Sequence, residues 1–176
     1  MTPTVRADSR GFFMETYQAE RYHAAGIRCN FVQDNHSRST RGTVRGMHFQ
    51  RSPGQDKLVR VVQGVIWDVA VDVRPDSPTF GQYEGVTLDA EAHEQLFVPK
   101  GFAHGFCVVS ETAEVLYKCS SAYDPAEEDG FAFDDPAVAI PWPTSAPQVS
   151  ERDRRARPLH ALTDELRRAA AGWSAG

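Results

Sequence analysis

Two histidines, each on a short segment with a glycine close by, are the side chains of this sequence best placed to do chemistry. His48 lies in Arg45-Gly46-Met47-His48-Phe49-Gln50 and His104 in Pro99-Lys100-Gly101-Phe102-Ala103-His104-Gly105-Phe106. An imidazole titrates at about pH 6.5, so it can take a proton near neutrality, more readily if a carboxylate holds its other ring nitrogen. Asp68, Asp72 and Asp153 are the candidate carboxylates. Tyr117, in Val115-Leu116-Tyr117-Lys118-Cys119, could return a proton as a general acid, and Lys57 could stabilise an oxyanion. Base, acid and cation together allow a reaction at a carbon beside a carbonyl, one chemistry among several open to these residue types.

Other chemistries find less support. A catalytic metal needs three or more protein ligands, and the first histidine segment offers only His48, so no metal site is expected. Closely spaced glycines between a strand and a helix are missing, which disfavours a phosphate loop or dinucleotide fingerprint. The Gly-x-Ser-x-Gly elbow of a serine nucleophile is missing too. Cys29, Cys107 and Cys119 are odd in number and lack C-x-x-C spacing, so reduced thiols are expected. Nineteen basic against 24 acidic residues give a net charge of -5, against a nucleic-acid partner. No apolar run approaches the roughly 18 residues of a membrane span, and no secretory signal opens the chain; the expectation is a cytoplasmic protein without membrane contact. With 176 residues and 41% hydrophobic content, one domain over 1–176 is expected.

The reactive side chains need strands to hold them. If residues 45–50 form one, Arg45, Met47 and Phe49 share a face and Gly46, His48 and Gln50 the other. Residues 8–15 read as a turn into a short strand, and 15–25 as a short helix stopped at Gly26. Phe31 to Asn35 passes from apolar to polar, and Ser37-Arg38-Ser39-Thr40-Arg41-Gly42 reads as a solvated loop. Lys57 to Arg74 is rich in β-branched residues and breaks at Gln63-Gly64 as a hairpin would. From Val65 to Val73 every odd position is apolar, so that face belongs to the core, while Asp68 and Asp72 are expected to meet solvent. Further strands are expected at 80–88, 94–98, 102–109, 113–119 and 131–133. So many short strands, without alternating helices, predict an all-β sandwich or barrel. Pro141, Trp142, Pro143 and Pro147 mark an extended segment lying over it, and 163–171 a terminal helix with Gly172 beyond.

These segments also carry a resemblance. Asp8-x-Arg10-Gly11-Phe12-Phe13-x-Glu15, Phe31-Val32-Gln33-Asp34-Asn35-His36-Ser37, Val44-Arg45-Gly46-Met47-His48-Phe49-Gln50, Lys57-Leu58-Val59, Asp68-Val69-Ala70-Val71-Asp72-Val73-Arg74 and Ser77-Pro78-Thr79-Phe80-Gly81 come in that order. Gly101-Phe102-Ala103-His104-Gly105-Phe106, Ala113-Glu114-Val115-Leu116-Tyr117-Lys118 and Ser150-x-x-Asp153 continue the pattern. Over about residues 8–160 the chain resembles the dTDP-4-dehydrorhamnose 3,5-epimerase family. The resemblance implies a cupin-type jelly-roll β-barrel or sandwich with a few short peripheral helices. It implies a homodimer that needs no cofactor and converts dTDP-4-dehydro-6-deoxy-D-glucose to dTDP-4-dehydro-L-rhamnose.

Carried over residue by residue, His48 matches the family's base, oriented by Asp153. Lys57 matches the group that stabilises the enolate oxygen, and Tyr117 the acid that reprotonates carbon from the other face. Arg10 and Glu15 resemble nucleotide-sugar contacts that reach across the dimer; Gln33, Asp34 through its main chain, and Asn35 resemble contacts to the nucleotide. Arg45 and His104 match groups near the diphosphate and sugar, and a guanidinium fork suits a diphosphate on its own chemistry. Tyr123 is placed to stack on thymine. Glu128 and Arg152 fall at binding positions, with lysine commoner in the family where Arg152 stands. One departure concerns the start: only seven residues precede Asp8, where the family carries a longer stretch with a first strand, so the dimer's strand exchange is in question. An epimerase acting at C3 only or C5 only would keep the same His, Lys and Tyr. A non-catalytic nucleotide-sugar binding module would be expected to have lost one of them, and a metal-dependent cupin oxygenase would carry stoichiometric metal.

Overall fold

The computed structural model describes residues 1–173. Its strands are β1 (Val5–Asp8), β2 (Gly11–Met14), β3 (Gln33–Thr40), β4 (Val44–Gln50), β5 (Lys57–Gln63), β6 (Val65–Asp72), β7 (Tyr83–Asp89), β8 (Gln95–Val98), β9 (Phe102–Val108), β10 (Thr112–Cys119) and β11 (Glu128–Gly130). Helices α1 (Ala19–Ala24), α2 (Glu151–Arg154) and α3 (Thr163–Trp173) are short, and a 3-10 turn spans Leu159–Leu162. One sheet has the order β3-β10-β5-β8 and the other β11-β4-β9-β6-β7, while β1 and β2 pair as a separate hairpin. All the strand pairings are antiparallel, as a cupin-type jelly roll requires.

Both faces of the five-stranded sheet are covered, which decides where the polar residues go. Met47, Phe49, Val69 and Val71 on its outer face pack against Ile140, Leu159, Leu162, Leu166 and Trp173 from the C-terminal part of the chain. Its inner face meets the other sheet, where Ile66, Phe106 and Val108 join Val59, Val61 and Val115 in a second apolar cluster. Burying such side chains contributes about 1.5–3 kcal/mol each before conformational entropy is counted. Of the odd positions expected in the core, Val69, Val71 and Val73 are fully buried and Trp67 packs against them partly buried, while Val65 at the start of β6 is only partly covered. The even face is buried as well, and Asp68 and Asp72 do not meet solvent but are 0% and 1% exposed. Asp72 accepts hydrogen bonds from Arg74 and the hydroxyls of Ser77 and Thr79, which tie down the loop after β6. Despite burial, those donors hold its carboxyl well below the usual carboxylate range.

Several expected elements shift. Ser37 to Thr40 is strand, not loop: β3 pairs with the whole of β10, Gln33 opposite Cys119 and Thr40 opposite Thr112. The break at Gln63-Gly64 is present, but β5 and β6 lie in different sheets, so it is a crossing and not a hairpin. The strand expected at 131–133 lies at Glu128–Gly130, with Phe131 bridging to Arg157. The first helix starts at Ala19 with Gln18 as its cap, and α3 runs through Gly172 to Trp173. A strand does precede the Asp8-Arg10 turn, since β1 occupies Val5–Asp8.

Candidate active site

His48 and His104 stand directly opposite each other on β4 and β9, the registered pair that sets the floor of the site. Between Arg45–Phe106 and His48–His104, β4 has two residues, Gly46 and Met47, where β9 has only Gly105. This bulge corrects the alternation expected of a regular strand. The extra residue brings Arg45 round to the same side as His48, while Met47 and Phe49 stay in the outer core. Gly46 is required there: its φ is +131°, and a Cβ would sit 2.6 Å from the Gly105 Cα.

Between the two sheets, beyond the apolar cluster, lies a cavity of about 520 Å³. Arg45, His48 and His104 enter from the five-stranded sheet, and Lys57 and Tyr117 from the other. Ser150, Arg152 and Asp153 close it from α2 and its cap. His48 and Asp153, 105 residues apart in sequence, are thus brought to one space.

Each imidazole has its own carboxylate. His48 Nε2 lies 2.7 Å from Asp153 Oδ1, leaving Nδ1 as the nitrogen free to act on a ligand. The Ser150 hydroxyl caps α2 by accepting from the Asp153 N–H, which fixes the carboxylate's position. Burial raises the Asp153 pKa, but the His48 contact, Ser150 and the Gly46 N–H outweigh it and hold the carboxyl below its ordinary value. His104 Nε2 meets both oxygens of Asp68, at 2.8 and 2.9 Å. Asp68 was a candidate partner for His48; its partner is His104, a pairing set by the β6–β9 register and invisible in local sequence.

Lys57 is buried with its Nζ 3.4 Å from the His48 carbonyl oxygen. Burial lowers its pKa, a pull only partly offset by Glu128 and Asp68. Burial also raises the Tyr117 pKa, so the phenol keeps its proton at neutral pH. Arg45 donates from Nε to the Ser39 hydroxyl at 2.9 Å. Ser39 was missed: it shares the more shielded face of β3 with Gln33, Asn35 and Ser37, a placement set by strand pairing that the polar local sequence does not announce.

Glu128, which lines the cavity with Arg152, accepts from Arg152 and from the Tyr123 hydroxyl at 2.9 Å. Tyr123 N–H donates to Gln33 Oε1, and Gln33 in turn bonds Asn35, so the loop carrying Tyr123 is anchored to β3. The Asp34 side chain faces away and pairs with Lys118. Gln33, Asp34, Asn35 and Tyr123 do not line this cavity, Asp34 and Asn35 instead lining a neighbouring one of about 230 Å³ that shares Tyr117, and Arg10 and Glu15 lie outside both. Arg10 pairs with Asp8 on the hairpin, and Glu15 pairs with Arg21 and lines a separate cavity of about 450 Å³. Among the described residues no group of three or more His, Cys, Asp or Glu is arranged to hold a metal ion. No described helix is long and apolar enough to cross a membrane.

Comparison with known proteins adds an independent finding. Residues 1–161 match the profile of the dTDP-4-dehydrorhamnose 3,5-epimerase family. The Shigella flexneri dTDP-4-dehydrorhamnose 3,5-epimerase is 49% identical over 153 residues, 86% of this chain and 84% of that one. A dTDP-4-dehydrorhamnose 3-epimerase from Streptomyces niveus is 44% identical, over 93% of this chain and 80% of its own. Among solved structures, the Legionella pneumophila dTDP-6-deoxy-D-glucose-3,5-epimerase in complex with dTDP-4-keto-L-rhamnose superposes with a TM-score of 0.90. It is 48% identical and covers 93% of this chain and 88% of that one.

Proposed function

The chain belongs to the dTDP-4-dehydrorhamnose 3,5-epimerase family, and from that premise we propose that it inverts C3 and C5 of dTDP-4-dehydro-6-deoxy-D-glucose to give dTDP-4-dehydro-L-rhamnose. Both carbons flank the C4 ketone, so losing a proton from either gives an enolate whose oxygen needs a cation or donor. His48 takes the proton at Nδ1 while Asp153 stabilises the imidazolium, Lys57 faces the enolate oxygen, and Tyr117 returns a proton to carbon. The observation that carries this reading is that His48 and Tyr117 enter the cavity from opposite sheets. A sugar ring lying between them presents one face to the base and the other to the acid, and the centre inverts. The proton leaves and returns without change of oxidation state, so the step asks for no electron carrier.

Arg45 and His104 hold the diphosphate and sugar, and Gln33, Asp34 through its main chain, Asn35, Tyr123, Glu128 and Arg152 hold the nucleotide end. The reading includes a homodimer. Phe12 and Phe13 are 59% and 70% exposed on a hairpin that also carries Arg10, and Glu15 follows it, a disposition suited to delivering both polar residues to a partner's cavity. Residues 1–176 act as one domain, since both sheets build the site, and the three unpaired cysteines suit a cytoplasmic enzyme.

Turnover in deuterated water tests the reaction. Solvent deuterium at both C3 and C5 of the product is the expected result. Stable incorporation at one centre would instead make this a single epimerase, a reading to which the 44% identity with the Streptomyces niveus 3-epimerase gives weight.

A further inference from the structure

On β3, Ser37 and Ser39 are two residues apart and so face the same side, about 7 Å from each other. The Ser39 hydroxyl is engaged, accepting from Arg45 Nε. The Ser37 hydroxyl is not: its Oγ is shut off from solvent and has no hydrogen-bond partner among the described residues, although Ser37 lines the cavity. A buried hydroxyl left unbonded is a cost to the folded protein, and a native protein that keeps one needs a reason for it. Turning about a single bond moves a serine hydroxyl between staggered positions, so Oγ can leave the wall for the cavity without any backbone change. Arg45 lines the same cavity, and its terminal nitrogens bond nothing among the described residues while Ser39 fixes its Nε.

We infer that Ser37 is a further binding residue, a hydroxyl that turns into the cavity when the nucleotide sugar enters and donates to a diphosphate oxygen beside Arg45. The inference rests on the reading that a dTDP-sugar occupies this cavity. Arg45 supplies the charge and the fork, and Ser37 adds one further donor to the same diphosphate.

Calorimetric binding of dTDP and of thymidine to the parent protein and to Ser37→Ala, with melting of both proteins in the absence of ligand, tests this. For dTDP the variant's Kd should rise about tenfold or more, as for loss of a hydrogen bond to a charged group, with KM rising more than kcat falls. Thymidine, which has no phosphate, should bind both proteins alike. The unliganded variant should melt at or above the parent temperature, since the hydroxyl removed made no bond. A dTDP affinity equal to the parent's, an equal loss with thymidine, or a clearly lower melting temperature would each overturn the inference. A parent protein that fails to bind dTDP would overturn the substrate reading itself, and this inference with it.

Discussion

The two histidine–carboxylate pairs sit side by side in one cavity, yet they are built differently. In the His48–Asp153 pair the imidazole is 28% exposed and the carboxylate 6%, and the carboxylate rides on a four-residue helix capped by Ser150. In the His104–Asp68 pair the figures are 7% and 0%, and both residues stand on central strands of the five-stranded sheet. A group that must gain and lose a proton in each turnover needs access to substrate and room for its charge to change. The first pair has both. A carboxylate sealed between two sheets tolerates little change in its partner, so the second pair suits a fixed holding role.

The largest effect should come from the first pair. His48→Asn should bind dTDP nearly as the parent does and lose about 10²–10⁴-fold in turnover, the usual contribution of a general base. Parent-like turnover would move the base elsewhere. The second pair should show itself in stability: Asp68→Ala leaves the buried His104 ring nitrogen without its partner and should cost about 1–3 kcal/mol in denaturant unfolding, more than Asp153→Ala costs. Equal losses for the two variants would erase the contrast. Asp153→Asn should lower turnover about ten- to a hundredfold, the worth of one charge-assisted hydrogen bond, and less than loss of the base.

The smallest effect is a pH dependence. Because the Asp153 carboxyl is held below its ordinary value in the folded protein, its contribution to stability is complete above the unfolded pKa of about 3.9. It is lost as pH falls through the lower folded value. The parent should therefore lose stability below about pH 4 more steeply than Asp153→Asn, whose amide does not titrate. Parallel acid limbs would show that the pair does little for the fold.

How far the sequence revealed this arrangement depends on which face a residue occupies. The β-branched run from Lys57 and the odd positions of β6 announced strands and core because apolar alternation is local information. Ser37 to Thr40 misled for the same reason: a strand whose inner face lines a polar cavity and whose outer face meets solvent has no apolar face, and it reads as a loop. Asp68 and Asp72 misled in the opposite sense, since their burial follows from what covers the even face of β6, namely the opposite sheet and the loop after β6. Arg45 was assigned to the wrong side of its strand because a bulge against Gly105 shows only in the register. The motifs of the site were legible by resemblance, whereas the pairing of His104 with Asp68 and the grip of Ser39 on Arg45 are products of long-range register.

The measurement that bears most directly on the two-walled mechanism is proton exchange by Tyr117→Phe in deuterated water. If His48 abstracts from one wall and Tyr117 delivers from the other, the variant still forms the enolate, and the imidazolium returns a solvent-exchanged proton to the original face. The account predicts that substrate acquires deuterium without inversion faster than epimerised product forms. Epimerised product appearing at the parent's rate would contradict it and place the acid on another residue.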